Sequence, residues 1–280
     1  MVEADTLLIL PRASNYVERR VDGYQEPELV VLFGAVHVSA HSADDVRRVI
    51  EAVRPDAVVV ELCRSRAALL YSSGDGLLHG RALTALSLSG PSLPAALRRA
   101  LQLGGRPALL LRALMGRRAG RVAAAAGAIA GAEQRAAREA ADACGAQVVL
   151  GDRPIEITLE RMWAALSWRK RLRLLQVLLL GGADGAVRAE VEAAGAAAAD
   201  DAFASVVAQL SGSFPEILSP LVHERDLYLA WSCKRSRAVC GARAVVGVLG
   251  RAHLRGTAYH LLQESSKLRF RDLVRPLTDR

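Results

Sequence analysis

The order of apolar and polar residues defines two passages of the same form. Leu29-Val30-Val31-Leu32-Phe33 is an uninterrupted apolar run that stops at Gly34, with His37 three residues further on. Ala244 to Leu249 repeats the pattern, stopping at Gly250 with His253 three residues beyond it. Short apolar runs rich in valine and bounded by glycine read as strands buried on both faces. A third run, Ala57 to Leu62, carries Glu61 near its C-terminal end. Between the first and third runs, Val46, Val49, Ile50 and Val53 fall on one helix face. Ser42 is the candidate N-cap of that helix, Asp44 and Asp45 suit its first turn, and Pro55 ends it. Strand, helix and strand in such close succession predict a βαβ unit with parallel strands.

The same pattern organises the rest of the chain. Residues 1–27 read as an entry segment, with an edge strand at Thr6 to Leu10, and residues 28–280 as one α/β domain. Within it, residues 65–145, rich in alanine, leucine and arginine and punctuated by Pro91, Pro94 and Pro107, predict a helical insert. Gln147 to Leu150 reads as another strand, and Thr158 as the cap of one long helix running through Trp163 and Trp168 to Leu180. Pro215 opens a helix through Glu224-Arg225-Asp226 to about Lys234. A helix from Thr257 to Glu264 and a last strand near Leu268 to Val274 complete the reading. The predicted fold class is α/β: a largely parallel or mixed central sheet flanked by helices, with a helical insertion.

Composition narrows this picture. With 51% hydrophobic residues in 280, the chain buries a sizeable core and wholesale disorder is excluded. A formal charge of +8 favours anionic surfaces, such as a phospholipid membrane. No aromatic residues interleave the basic ones in the manner of a nucleic-acid module, which disfavours that class of partner. The four cysteines form no CxxC pair and read as reduced thiols. The first residues lack a signal-peptide pattern, and no apolar run reaches the ~18–20 residues of a transmembrane helix. The expectation is an intracellular protein, cytoplasmic or peripheral to a membrane.

In open α/β sheets, reactive groups collect beyond the carboxyl ends of parallel strands. That edge receives His37, Glu61 and, if the strands are adjacent, His253. Gly34 and Gly250 allow the backbone to turn and approach a ligand closely. Two imidazoles and a carboxylate are a donor set for Zn²⁺, Mn²⁺, Fe²⁺ or Co²⁺, and such an ion lowers the pKa of a bound water to about 7. A metal-free alternative uses Glu61 and a histidine as acid and base. A carboxylate in a run of valines needs a partner, and Arg64 is the nearest cation after it. Asp152 with Arg153, and Glu224 with Arg225 and Asp226, read as buried ion-pair elements or as groups that orient a histidine.

These residues resemble a known family. Gly34-Ala35-Val36-His37-Val38-Ser39, followed by Val58 to Arg66, resembles the opening signature of the TraB domain family. Gly151-Asp152-Arg153-Pro154-Ile155-Glu156-Ile157-Thr158 resembles its central motif, and Glu224-Arg225-Asp226 with Gly250-Arg251-Ala252-His253 its closing ones. The resemblance runs from Leu29 to Leu277. The family includes a bacterial pheromone-shutdown protein and eukaryotic members associated with mitochondria. It is similar in fold to the TIKI ectodomain metalloproteases and to the erythromycin-esterase and ChaN-like group. It implies a metal-dependent hydrolase, possibly a peptidase acting on a peptide or small molecule, with His37, Glu61 and His253 as catalytic and metal-binding residues. Arg64, Asp152, Arg153, Glu224 and Arg225 are then supporting or substrate-binding groups. Arg251, where many relatives have a small residue, sets a cation beside the site that would repel another cation or bind an anionic substrate. The alternative implied is a non-catalytic adaptor at the mitochondrial outer membrane surface.

Overall fold

Continuous apolar runs need cover on both faces, and the chain provides it with a five-stranded sheet in the order β1-β2-β5-β3-β4. The strands are β1 Leu7–Pro11, β2 Leu29–Ala35, β3 Ala57–Val60, β4 Gln147–Leu150 and β5 Ala244–Gly250. The computed structural model describes residues 6–12, 24–35, 40–71, 93–126, 131–180, 207, 210–263 and 270–274. β1 is the antiparallel edge strand, and all the other pairings are parallel. β2 and β3 run parallel as the βαβ pattern predicts, but β5 lies between them and pairs with both. The two glycine-terminated runs are therefore direct neighbours, with Gly34 opposite Leu249 and Ala35 opposite Gly250.

The described chain forms two units. The first comprises Met1–Cys63, Gly131–Asp152 and Arg225–Leu268, and holds the sheet. Its helices are α1 Ala40–Val53, α3 Ala132–Cys144, α6 Glu224–Cys240, which belongs to it from Arg225 on, and α7 Arg251–Leu262. Val30, Leu32, Val59, Val245 and Leu249 form one core with Leu229 and Cys233 of α6 and Leu254 and Ala258 of α7. α1 and α3 pack on each other and contact the central strands. The second unit comprises Arg64–Ala130, Arg153–Glu224 and Arg269–Arg280. It contains α2 Leu93–Ala126, which kinks at Gly105 ahead of Pro107, packed along α4 Ile155–Ala165, together with α5 Trp168–Leu180 and the single turn α8 Phe270–Leu273.

Several element boundaries differ from the sequence reading. Residues 155–180 are two helices, because Leu166 adopts extended backbone between them. Thr158 lies inside α4, whose first residue follows Pro154. α1 begins at Ala40, so Ser42 is its third residue, and it is buried. α7 begins at Arg251, directly after β5. The described part of the expected last strand is helical, since Phe270, Leu273 and Val274 also satisfy i, i+3, i+4 spacing. Among the described residues, no helix is long and apolar enough to cross a membrane.

Candidate active site

Three adjacent strands deliver polar residues to one edge of the sheet. Glu61 directly follows β3, Asp152 follows β4 by two residues, and His253 lies in the first turn of α7, which springs from β5. α6 brings Arg225 and Asp226 to the same place. All five belong to the first unit and are between 2% and 7% exposed.

Arg225 is the hub of this cluster. Its Nε donates to Asp152 Oδ1 at 3.1 Å and its Nη2 to Asp152 Oδ2 at 2.9 Å, a forked pairing that fixes the guanidinium plane. Nη2 also donates to Glu61 Oε1 at 2.5 Å, and Nη1 stands 3.0 Å from His253 Nε2. The second oxygen of Glu61 accepts the backbone N–H of Gly250 at 2.7 Å. The partner of Glu61 is thus 164 residues away in sequence, whereas Arg64 is exposed at the start of a 3₁₀ turn of the second unit.

His253 is held from its other side. Asp226 Oδ1 is 2.5 Å from His253 Nδ1, so the Nδ1 hydrogen donates to the carboxylate and Nε2 is the nitrogen that exchanges a proton. In the neutral ring, Nε2 accepts from Arg225. Once Nε2 is protonated, that contact sets two cations together, and Glu61 Oε1, 3.5 Å from Nε2, offsets it. Burial pulls the His253 pKa down, and Arg225 acts the same way. Glu61 and Asp226 together outweigh them, and the pKa lies above the ordinary imidazole value. The charge balance agrees in sign: three carboxylates face one guanidinium, leaving −2 with the ring neutral and −1 with it protonated.

Asp226 reaches the ring because residue 256 has no side chain. A Cβ at Gly256 would sit 2.0 Å from Asp226 Oδ2 and 2.6 Å from its Cγ. A glycine three residues after a helix histidine is unfavourable for the helix by roughly 1 kcal/mol, and close packing is what it provides here. Gly256→Ala is therefore expected to destabilise the protein by about 1–2 kcal/mol, overpacking outweighing the gain in helix propensity. On an Asp226→Ala background the same change is expected to stabilise. Thermal unfolding of the four proteins checks this, and a stabilising Gly256→Ala in the wild type would refute the packing argument. Gly34 also serves close approach, with Leu254 Cδ2 at 3.0 Å from where its Cβ would be. Gly250 has φ −63°, so its backbone is accessible to any residue, and the expected tight turn there is a direct strand-to-helix passage.

Two of the sequence candidates meet elsewhere. In the second unit, fully buried Arg153 donates from Nη1 to Glu224 Oε2 at 2.5 Å, from Nε to Thr158 Oγ1 at 3.0 Å and from Nη2 to the Pro220 carbonyl at 2.6 Å. Arg161 forks onto both oxygens of Glu224 at 2.6 and 2.7 Å. Burial raises the Glu224 pKa, but the two guanidinium groups more than reverse this and hold it below the usual value. Arg251 is exposed at the start of α7. His37 lies outside the described residues.

Glu61 Oε1 and His253 Nε2 are as far apart as two ligands of a tetrahedral ion with bonds of about 2.0–2.2 Å. Both atoms, however, already face the guanidinium of Arg225. Among the described residues, no group of three His, Cys, Asp or Glu side chains is arranged to hold a metal ion. In the described residues these two donors are engaged with that guanidinium.

All five residues of this cluster fall within the stretch of the chain that a family model matches. The family model described as the TraB/PrgY/gumN family matches residues 20–265. A TraB domain-containing protein of Homo sapiens is 32% identical over 241 residues, covering 81% of this chain and 61% of the relative. The Mus musculus protein of the same description is 31% identical over the same shares. An uncharacterized protein of Methanocaldococcus jannaschii is 22% identical over 249 residues, covering 88% of this chain and 57% of the relative. The aligned part of the chain thus spans about three fifths of the length of these curated relatives.

Proposed function

The chain belongs to the TraB/PrgY/gumN family, and from the buried cluster of its first unit we propose that it is a hydrolase working by acid–base catalysis at His253. The observation that carries this reading is the placement of the ring. Nδ1 is fixed by Asp226, and Nε2 faces Glu61 and Arg225, at the strand edge where α/β enzymes keep their chemistry. A buried histidine with a raised pKa is suited to donate a proton to a leaving group and to recover one from water. Arg225 supplies a fixed positive charge next to the proton-transferring nitrogen, and Asp152 keeps that charge in place. In this reading the guanidinium supplies the electrostatic stabilisation that a metal ion supplies in other hydrolases. Among the described residues, Thr257 Oγ1, buried one helical turn after His253, finds no hydrogen-bond partner, and a water or a polar substrate atom would satisfy it.

The substrate class proposed is a peptide or a small ester or amide. The test is a panel of chromogenic esters and peptide amides offered to protein stripped with chelator. Turnover in chelator that disappears in His253→Ala supports the reading. Turnover that appears only when a divalent ion is added contradicts the role given to Arg225. Turnover no greater than that of His253→Ala for every panel member contradicts hydrolysis itself.

A further inference from the structure

The second unit carries an apolar strip that its own packing leaves uncovered. On α5, Leu174 is fully buried and marks the inward face. Trp168, Leu172 and Leu179, at i, i+4 and i+11, lie together on the other side and are 64%, 59% and 66% exposed. Three large apolar residues aligned on one helix face are not the scattered exposed leucines that any protein tolerates. The strip is about 16 Å long at 1.5 Å per residue.

The flanks of the strip are cationic. Arg169 and Arg173 are exposed on one side, and half-buried Arg171 lies on the other. The Arg169 guanidinium stands 5.3 Å over the Trp168 ring, and that of Arg171 stands 5.3 Å over the ring of Trp163. Lys170 is paired with Glu216, and Arg171 donates to the Trp163 carbonyl at 2.9 Å, so these two are partly committed within the unit. From Arg161 to Ala183 the sequence contains no aspartate or glutamate. A helix with exposed tryptophan and leucine bordered by arginine, and without acidic residues, has the composition of a segment that lies in a membrane interface. Tryptophan favours that depth, and arginine can extend its charge to the headgroups while its stem stays among the acyl chains.

We propose that α5 docks the protein on an anionic phospholipid surface, with Trp168, Leu172 and Leu179 entering the interface and Arg169 and Arg173 meeting the headgroup phosphates and carboxylates. The hydrolase reading is not required for this, since every residue invoked lies in the second unit. Binding has an electrostatic part, lost as salt is raised, and an apolar part that salt does not remove.

The experiment is co-sedimentation of the whole chain with phosphatidylcholine vesicles and with vesicles containing about 30% phosphatidylserine, a fraction giving a strongly negative surface. Tryptophan emission is followed in parallel. The expected result is binding to the anionic vesicles only, at low salt, with a blue shift that is lost in Trp168→Phe. Arg169→Gln/Arg173→Gln is expected to bind about 30-fold more weakly, at roughly fivefold per cation removed. Leu172→Ser/Leu179→Ser is expected to weaken binding without changing its salt dependence. All of these positions are exposed, and circular dichroism verifies that the variants fold. Absence of binding at low salt overturns the proposal, as does binding that both double variants retain. Equal, variant-sensitive binding to soluble polyglutamate assigns the face to an acidic protein and likewise overturns it.

Discussion

Replacing Arg225 by methionine is expected to cost about 3–5 kcal/mol, the largest stability loss of any single substitution in the first unit. Methionine occupies a similar volume, so the loss is electrostatic. Without the guanidinium, Glu61 and Asp152 remain buried side by side, each missing its charged donor. Since domains of this size are stable by about 5–15 kcal/mol, a change of this magnitude brings the protein close to unfolding. The deficit has a sign with pH. An unpaired buried carboxylate takes up a proton more readily than a free one, so the variant regains stability relative to wild type as pH falls from neutral towards about 5. Adding Glu61→Gln or Asp152→Asn is expected to recover part of the loss, since each removes an orphaned charge. Urea unfolding across pH measures all of this. A loss below about 1 kcal/mol, the level of an exposed pair, would mean that Arg225 does not hold the cluster together.

His253→Ala is expected to lower any hydrolytic rate by about 10²–10⁴-fold, the range for removing a positioned acid or base. Folding is expected to be retained, because Arg225 keeps its bonds to Asp152 and Glu61. Asp226→Asn should lower the rate while leaving the ring present, since an amide no longer specifies which ring nitrogen carries the hydrogen. Glu61→Gln tests the proton affinity separately. It removes the carboxylate facing Nε2, so the limb of the pH–rate profile that reports His253 should move to lower pH. A mere structural role for Glu61 would reduce the rate without moving that limb.

The strands of this fold are legible because parallel strands covered on both faces must be apolar throughout, and few other elements give such runs. The same logic located Glu61 and His253, a carboxylate and an imidazole at the ends of two such runs. What could not be read was the pairing between distant residues. Glu61 has Arg64 close by in sequence and binds Arg225 instead. Glu224, Arg225 and Asp226 look like three equivalent charges on a helix. Successive residues point about 100° apart on a helix, so Glu224 pairs with Arg153 and Arg161 while Arg225 and Asp226 meet Glu61, Asp152 and His253. No pattern within one segment separates those roles. Gly256 did leave a signal, a helix-breaking residue three positions after a candidate histidine, but its meaning depends on Asp226 lying against it. Element ends were harder still, as the break at Leu166 shows, because the apolar spacing continues across it.

The central claim is that Glu61, Arg225, Asp226 and His253 act as one electrostatic unit around a proton-transferring ring. Nitrogen-15 NMR of the His253 ring as a function of pH tests it most directly, since it reads both the tautomer and the midpoint. The account predicts an Nδ1–H tautomer at high pH and a midpoint above the ordinary value of about 6.5, falling in Glu61→Gln and in Asp226→Asn. A raised folded-state pKa also requires that the stabilisation from His253 be full below the unfolded-state value and fade as pH rises through the folded one. A midpoint below the ordinary value, or one that neither substitution moves, would contradict the account.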